Sequence, residues 1–200
     1  VGSEMCIRDR DNRVLFNIGY GLYVLTAQEG NQDNGCIINT VMQVTSDPCQ
    51  IAIAVNKRNY TNQMIQNTKK FNISVLSENA KFDTFKHFGF QSGRDVDKFA
   101  EMKLTELPSK NIKAPGIAES PVNIECRVKK IMPLGSHDMF LAEVVGVTVD
   151  DKYMDEKGKF NLNRSGLIAY SHGEYFELGK KIGKFGYSVQ KPGRKKKKRG

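Results

Sequence analysis

The first half of the chain contains the segment Asn34-Gly35-Cys36-Ile37-Ile38-Asn39-Thr40-Val41-Met42-Gln43-Val44-Thr45-Ser46-Asp47-Pro48, with Asn56-Lys57-Arg58-Asn59-Tyr60-Thr61 soon after it. Small hydroxyl and amide side chains separate two runs of β-forming residues, and a further β-prone run ends in the basic turn. Amide and hydroxyl groups supply hydrogen bonds, and the turn supplies positive charge. The pattern therefore predicts a site for a planar, anionic, hydrogen-bonding ligand.

The residues around this segment predict short strands and helices. A short helix is expected over residues 14–20, a hairpin strand over 21–26 and a polar turn over 28–35. The next strand is expected over 36–44, and Ser46-Asp47-Pro48 should end it before a buried strand over 50–55. Thr61 is predicted to cap a helix that runs to Asn67 and turns Met64 and Ile65 inward. A fourth strand follows over 71–76.

The second half has its clearest signal in residues 122–129, where apolar and polar side chains alternate. This period of two predicts a strand with one buried, apolar face and one solvent-exposed, polar face. After a loop over 133–138, the chain should run back as a second strand over 139–149. Before it, residues 77–89 predict a helix with Phe82, Phe85 and Phe88 on one side, a stripe more typical of core packing than of cofactor binding. The other residues of this half predict an irregular connection over 102–119, a polar loop over 151–163 and a short strand over 167–170. The fold class is mainly β with short helices.

Composition limits the class of protein. Two hundred residues with 39% hydrophobic content can bury one core, so a single domain is expected. The longest wholly apolar run, Ile51 to Val55, is far shorter than the roughly 20 residues of a membrane helix. The four cysteines form no Cys-x-x-Cys pair, which argues against a metal or dithiol motif and favours reduced thiols in a cytoplasmic protein. No glycine-rich dinucleotide fingerprint is present, which argues against a Rossmann site.

The net charge of +9 lies mostly at the C-terminus. Seven of the 31 Lys and Arg residues fall in residues 191–199, which leaves 24 basic against 22 acidic residues in 1–190, a net of +2. We expect 191–200 to be a disordered basic tail, because like charges repel and nothing apolar is there to bury. Nucleic-acid binding by the tail is disfavoured, since no aromatic residues are interleaved to stack on bases. Residues 1–10 resemble a non-native or disordered terminus, so the domain is placed over residues 11–190.

Over residues 14–190 the sequence resembles the flavin reductase-like family, the FMN-binding split barrels. The polar step Asn39-Thr40 matches the segment that meets the flavin in this family, and the basic turn matches the segment that meets its phosphate. Phe88-Gly89-Phe90, with residues 93–99, resembles the loop that closes over the flavin. Gly135-Ser136-His137 matches a Gly-x-His motif at which the reduced nicotinamide docks.

The resemblance implies an antiparallel split β-barrel of Greek-key type, bound FMN, NAD(P)H as electron donor and a homodimer. His137 is then the nicotinamide-docking residue. The implied cofactor-binding residues are Asn39, Thr40, Val41, Met42, Thr45, Ser46, Asn56, Lys57, Arg58, Asn59, Thr61, Phe88, Gly89 and His172. Each of these residues also has a simpler interpretation, because polar side chains on strands and solvent-exposed basic turns are common in proteins. No metal site is expected.

The two halves resemble different members of this family. Up to about Phe99 the chain is most similar to ferric reductases and the flavin domain of high-molecular-weight rubredoxins, and later residues are similar to flavoredoxin-type members. One divergent gene and a fusion of two homologues both explain this, and both imply the same fold.

Three functions follow from the sequence. The first is an NAD(P)H-dependent flavin or ferric reductase that passes electrons to free flavin, a metal chelate or a partner protein. The second is a flavoredoxin-type protein that a protein partner reduces. The third is a non-redox flavin-binding or basic-tail interaction module. His172 is a second candidate for docking, and His87 is interpreted as structural.

Overall fold

The computed structural model describes residues 18–80, 88–89, 97–171 and 173–183. Residues 81–87 of the predicted helix over 77–89, most of the predicted helix over 14–20, residue 172 and both chain ends lie outside these ranges. The described start of the first of these helices, residues 77–80, is a β-bridge and a turn, so that prediction was wrong there. Strands β1 to β5 are Tyr20–Gly21, Tyr23–Glu29, Gln32–Ile38, Val41–Ser46 and Cys49–Asn56, and helix α1 is Tyr60–Thr68. They are followed by β6 Lys70–Val75, α2 Lys98–Met102, β7 Glu106–Leu107, β8 Gly116–Ile117, β9 Val122–Leu134, β10 His137–Val149, a 3₁₀ turn Asp151–Tyr153, β11 Ile168–Ser171 and β12 Glu174–Glu177.

Seven strands form one antiparallel sheet in the order β3-β2-β6-β9-β10-β5-β4. Strands β3 and β4 are therefore its two edges, yet only Asn39 and Thr40 lie between them in the chain. Three consecutive Cα steps span at most about 11 Å, so the sheet must curl until its edges almost meet. This closure makes the sheet a split barrel, as the resemblance predicted.

The long hairpin of β9 and β10 joins the two halves of the chain. Each strand has 13 residues. β9 pairs with β6 on one side, and β10 pairs with β5 on the other. Elements from the two halves that resemble different family members are thus neighbours in one sheet and share one core.

The barrel core is apolar and includes side chains from every large strand. Leu25, Ile53, Phe71 and Phe140 are fully buried in it, and Met64 and Ile65 of α1 pack against them as predicted. A second apolar cluster lies outside the barrel and consists of Leu22, Val24, Leu76, Phe88, Phe99, Ile117 and Ile168. The helix α1 and this second cluster cover different parts of the same sheet.

Three predicted boundaries were wrong. The polar turn expected over 28–35 is only Gly30-Asn31, because β2 continues to Glu29 and β3 starts at Gln32. Gly30 has φ +61°, the left-handed conformation that a two-residue hairpin turn requires. The strand expected over 36–44 is interrupted at Asn39 and Thr40, where the chain crosses from one edge of the sheet to the other. The loop over 133–138 is a turn of Gly135 and Ser136 alone.

The prediction that the polar face of β9 is exposed to solvent was also wrong at two positions. Asn123 and Glu125 are both 3% exposed, because the connection that carries β7 and β8 lies over them. The Glu125 carboxylate accepts hydrogen bonds from the backbone N–H groups of Lys110 at 2.9 Å and Asn111 at 2.7 Å. Asn123 Oδ1 accepts from the Ile117 N–H at 3.0 Å. A polar side chain can face a covering loop as well as solvent, provided its hydrogen bonds are made.

Within the described residues, no helix is both long enough and apolar enough to cross a membrane. The described cysteines are free thiols, with Cys36 and Cys126 buried and Cys49 exposed.

Candidate functional site

Three of the segments singled out in the sequence meet at one end of the barrel. The N–H of Ala54 in β5 donates to the Thr40 carbonyl oxygen at 3.3 Å, just before β4 begins. Two residues further along β5, Asn56 pairs with His137, the first residue of β10. Neighbouring strands lie about 4.8 Å apart, so the Asn39-Thr40 step, the basic turn and the Gly135–His137 turn lie close together.

The Asn39-Thr40 step has a defined local geometry. The Thr40 hydroxyl donates to Asn39 Oδ1 at 3.1 Å, and the Val41 N–H donates to the Asn39 carbonyl at 3.2 Å. Both side chains are partly buried. The step therefore presents backbone and side-chain polar groups at the gap between the two sheet edges, which suits recognition of the polar edge of a planar ring.

The basic turn is ordered by its own asparagine. Asn56 Oδ1 accepts from the Arg58 N–H at 2.9 Å, and the Asn56 carbonyl accepts from the Asn59 N–H at 3.0 Å. The side chains of Lys57 and Arg58 are exposed, and the turn leads directly into α1. Two cations beside the start of a helix favour an anion, because the helix dipole adds to their charge.

His137 lies beside this turn. Its Nδ1 is 2.8 Å from the Ser136 hydroxyl, and the Ser136 carbonyl accepts from the Lys57 N–H at 3.0 Å. The two turns are thus joined by a backbone hydrogen bond. A side chain presented at the end of a 13-residue strand pair has a rigid base.

Other predicted site residues lie elsewhere. Thr45 and Ser46 lie at the far end of β4, about 14 and about 17 Å from Val41 along the strand. There the Thr45 hydroxyl donates to the Pro48 carbonyl, so Thr45 stabilises the hairpin turn between β4 and β5. Val41 and Met42 lie at the near end of β4, directly after the Asn39-Thr40 step.

The structure corrects the predictions for Thr61 and Phe88. Thr61 is fully buried inside α1, and its hydroxyl accepts from Asn34 Nδ2 at 3.0 Å, so it is neither the helix cap nor a surface donor for an anion. Phe88 is 1% exposed and packs edge-to-face on Phe99 at 5.7 Å, which matches the core interpretation of the aromatic stripe. Gly89 next to it is exposed, and His172 lies outside the described residues.

Comparison with known proteins identifies the family. The family model described as "flavin reductase like domain" matches residues 15–179. The chain belongs to the flavin reductase-like domain family.

Two relatives and one solved structure show what this family member is similar to. It is 37% identical over 142 residues to the high molecular weight rubredoxin of Moorella thermoacetica, with 70% of this chain and 60% of that protein covered. It is 30% identical to the ferric-chelate reductase (NAD(P)H) of Archaeoglobus fulgidus, with 84% and 98% covered. The flavoredoxin structure of Desulfovibrio vulgaris (Miyazaki F) matches with a TM-score of 0.79 at 24% identity, covering 86% and 93%. This structural match supports the split-barrel fold.

The residues at this end of the barrel fit the flavin that a flavin reductase-like domain implies. Lys57 and Arg58 at the start of α1 suit a phosphate, and the Asn39-Thr40 step suits the polar edge of an isoalloxazine ring. The side chain of Asn59, the N-cap residue of α1, makes no capping hydrogen bond. This end of the barrel is therefore the candidate flavin site of the domain.

Besides Glu125, sequence reasoning missed two further buried charged residues, Asp138 and Lys98. Asp138 is 4% exposed and follows His137 directly. A signal existed, because Phe140 and Ala142 face the core and the period of two turns Asp138 the same way. The loop assignment for 133–138 concealed it.

Lys98 is the second missed residue and is 4% exposed. Its ammonium donates to the Gly35 carbonyl at 2.7 Å, and burial lowers its pKa. Burial also raises the pKa of the neighbouring Cys36 thiol to about 11. The hydrogen bond from Lys98 connects α2 to β3 at Gly35, four residues before the Asn39-Thr40 step.

Proposed function

We propose that this protein is an NAD(P)H-dependent flavin or ferric reductase that binds FMN. It passes electrons from the reduced nicotinamide to free flavin, a metal chelate or a partner protein. The observation that carries the proposal is the meeting of the Asn39-Thr40 step, the Lys57-Arg58 turn and the His137 turn at one end of the barrel. The similarity to a ferric-chelate reductase (NAD(P)H) over 98% of its length supports the nicotinamide donor and the ferric acceptor.

In this proposal the basic turn selects the cofactor. Lys57 and Arg58 hold the FMN phosphate through charge-assisted hydrogen bonds, and Asn59 adds a polar group at the helix start. A single basic turn and the absence of a second nucleotide fingerprint from the sequence favour FMN over FAD. Asn39, Thr40 and the backbone of Val41 and Met42 hold the isoalloxazine edge.

His137 orients the donor. A flavin supplies hydride acceptance and electron transfer when bound, so the protein needs no catalytic acid or base for that step. The imidazole, fixed on a rigid strand pair and beside Ser136, is the group against which the nicotinamide packs. The role of His137 is therefore to position the donor, and misplacement of a donor is costly in rate.

A second function is favoured by one observation. The high molecular weight rubredoxin relative matches this chain over only 60% of its own length. The rest of that relative leaves room for a rubredoxin-like redox partner, and in the flavoredoxin-type hypothesis such a protein, and not a nicotinamide, is the electron donor to this domain. The third hypothesis, a basic-tail interaction module, concerns residues outside the described ranges and remains a prediction.

We further propose a homodimer in the cytoplasm. Met42 and Val44 lie on the outer face of β4 and are 57% and 42% exposed. Met42 pairs with Ala52, which pairs with Leu141, so this outer face is apolar over three strands. A second copy on this face would cover it and lie beside the candidate site. The free thiols support a reducing location.

The test of function is anaerobic rapid mixing of the FMN-loaded protein with NADH and with NADPH. The proposal predicts fast flavin bleaching with at least one of them. His137→Ala should retain its FMN content and lose at least about tenfold in the rate of this bleaching, because one orienting contact is removed. Dithionite, which needs no docking site, should reduce both proteins alike.

The outcomes separate the hypotheses. Slow bleaching of the parent protein by both nicotinamides would favour the flavoredoxin-type function. Fast bleaching that is unchanged in His137→Ala would leave the reductase function standing and would remove His137 from it.

A further inference from the structure

A buried carboxylate lies directly behind the candidate site. Asp138 is 4% exposed and is the second residue of β10, directly after His137. An ionised carboxylate is costly to bury unless hydrogen bonds and a cation compensate it. Its partners therefore show what its burial achieves.

All three described partners come from one short piece of chain. Asp138 Oδ2 accepts from Asn62 Nδ2 and from Gln66 Nε2, each at 3.1 Å. Asp138 Oδ1 lies 3.7 Å from the ammonium nitrogen of Lys57. Residues 62 and 66 are one helical turn apart on the same face of α1, and Lys57 belongs to the basic turn that precedes α1.

The amide groups of α1 are themselves held in one orientation. Asn62 Nδ2 also donates to the Val55 carbonyl at 3.0 Å, and Asn62 Oδ1 accepts from Gln66 Nε2 at 2.8 Å. The network thus connects the end of β5, the first half of α1 and the start of β10. The basic turn lies between the first two of these elements.

We propose that Asp138 is a positioning residue that sets the Lys57 ammonium and the start of α1 in place for the phosphate of the cofactor. The proposal rests on the proposed function, in which the basic turn holds that phosphate. A single carboxylate then fixes the anion-binding turn relative to the His137 turn, because Asp138 and His137 are consecutive in β10.

The distance to Lys57 suits this role. The Lys57 side chain is 42% exposed and has a flexible four-carbon stem, so an unrestrained ammonium would lose conformational entropy on binding an anion. At 3.7 Å the ammonium is attracted by Asp138 but is not held in a short hydrogen bond. It therefore stays near the turn and keeps its donors available, which lowers the ordering cost of binding.

The test compares FMN with riboflavin, which has the same ring and no phosphate. Asp138→Asn keeps the shape of the side chain and removes the charge that restrains Lys57. We expect it to weaken FMN binding by about three- to tenfold and to change riboflavin binding by less than about twofold. Fluorescence quenching of each ligand measures both affinities, and circular dichroism checks the fold.

A double mutant separates positioning from general stability. In the Lys57→Met protein, Asp138→Asn should have no further effect on FMN affinity, since the restrained ammonium is already absent. Equal weakening of FMN and riboflavin, unchanged or stronger FMN binding in Asp138→Asn, or an undiminished effect in the Lys57→Met protein would each overturn the proposal. If Lys57→Met alone leaves FMN affinity unchanged, the phosphate site of the proposed function fails instead.

A milder variant covers the case in which Asp138→Asn does not fold. Gln66→Met leaves the carboxylate in place and removes one of the two amide donors from an exposed helix position. It should weaken FMN binding by about twofold without affecting riboflavin, because the carboxylate is then less firmly held. Equal effects on the two ligands would again contradict positioning.

Discussion

Lys57 and Arg58 supply the positive charge of the candidate site and are exposed on its surface. Replacing both with alanine should cost about 2 to 4 kcal/mol of FMN binding, which is tens- to hundreds-fold in affinity, because two charge-assisted phosphate contacts are lost. The fold should persist. Fluorescence titration with FMN measures the change, and Lys110→Ala with Lys113→Ala is the control with the same loss of charge. Equal affinities in the two double variants would place the phosphate elsewhere.

Residue types and their order were enough to predict which polar and basic groups meet at this end of the barrel. Asn39, Thr40, Lys57, Arg58 and His137 were all predicted, and the structure brings them to one end of the barrel. Thr61 and Phe88 were misassigned because burial depends on elements distant in sequence, such as the Asn34 partner of Thr61. Asp138 was missed for the same reason, since its partners lie 72 to 81 positions earlier in the chain.

Helix α2 is held to strand β3 by the buried ammonium of Lys98. Burial lowers the pKa of Lys98 below its ordinary 10.5, so the unfolded chain binds more protons than the folded chain between the lowered pKa and 10.5. The contribution of Lys98 to the free energy of unfolding must therefore increase with pH between the lowered pKa and 10.5. Relative to Lys98→Met, the parent protein should gain stability as the pH rises towards 10.5.

Urea unfolding of both proteins from neutral pH to pH 10.5 tests this prediction. The buried Cys36 thiol acts in the opposite direction, because its pKa is raised from 9.0 to about 11 and stability is lost as the pH rises between these values. The Lys98 charge also acts on the pKa of this thiol, so both proteins in the comparison carry Cys36→Ala, and the difference between them then reports on Lys98. A constant or falling difference in unfolding free energy would contradict the prediction.

Among the elements, strands with a clear period or a buried run were predicted well, as β5, β9 and β10 illustrate. The break between β3 and β4 was not predicted, because almost all of residues 36–44 are good β-formers. The chain leaves the strand there because the barrel has to close. This requirement belongs to the whole sheet, and the two polar residues Asn39 and Thr40 alone do not predict it.

At the scale of the whole molecule, the apolar outer face of β4 predicts a dimer. Light scattering at micromolar concentration should give about 45 kDa, twice the 22.5 kDa of one chain. Met42→Lys with Val44→Lys should shift the protein to the monomer, because two charges on this strand would be buried at the interface. A parent protein of about 22.5 kDa would contradict the prediction.

Flavin binding is the central claim, and the visible spectrum of the purified protein tests it most directly. We predict a yellow protein whose ligand, released by denaturation, is FMN and not FAD. Apoprotein prepared from it should quench the fluorescence of added FMN. A colourless preparation that also fails to quench added FMN would contradict the assignment of this end of the barrel as a flavin site.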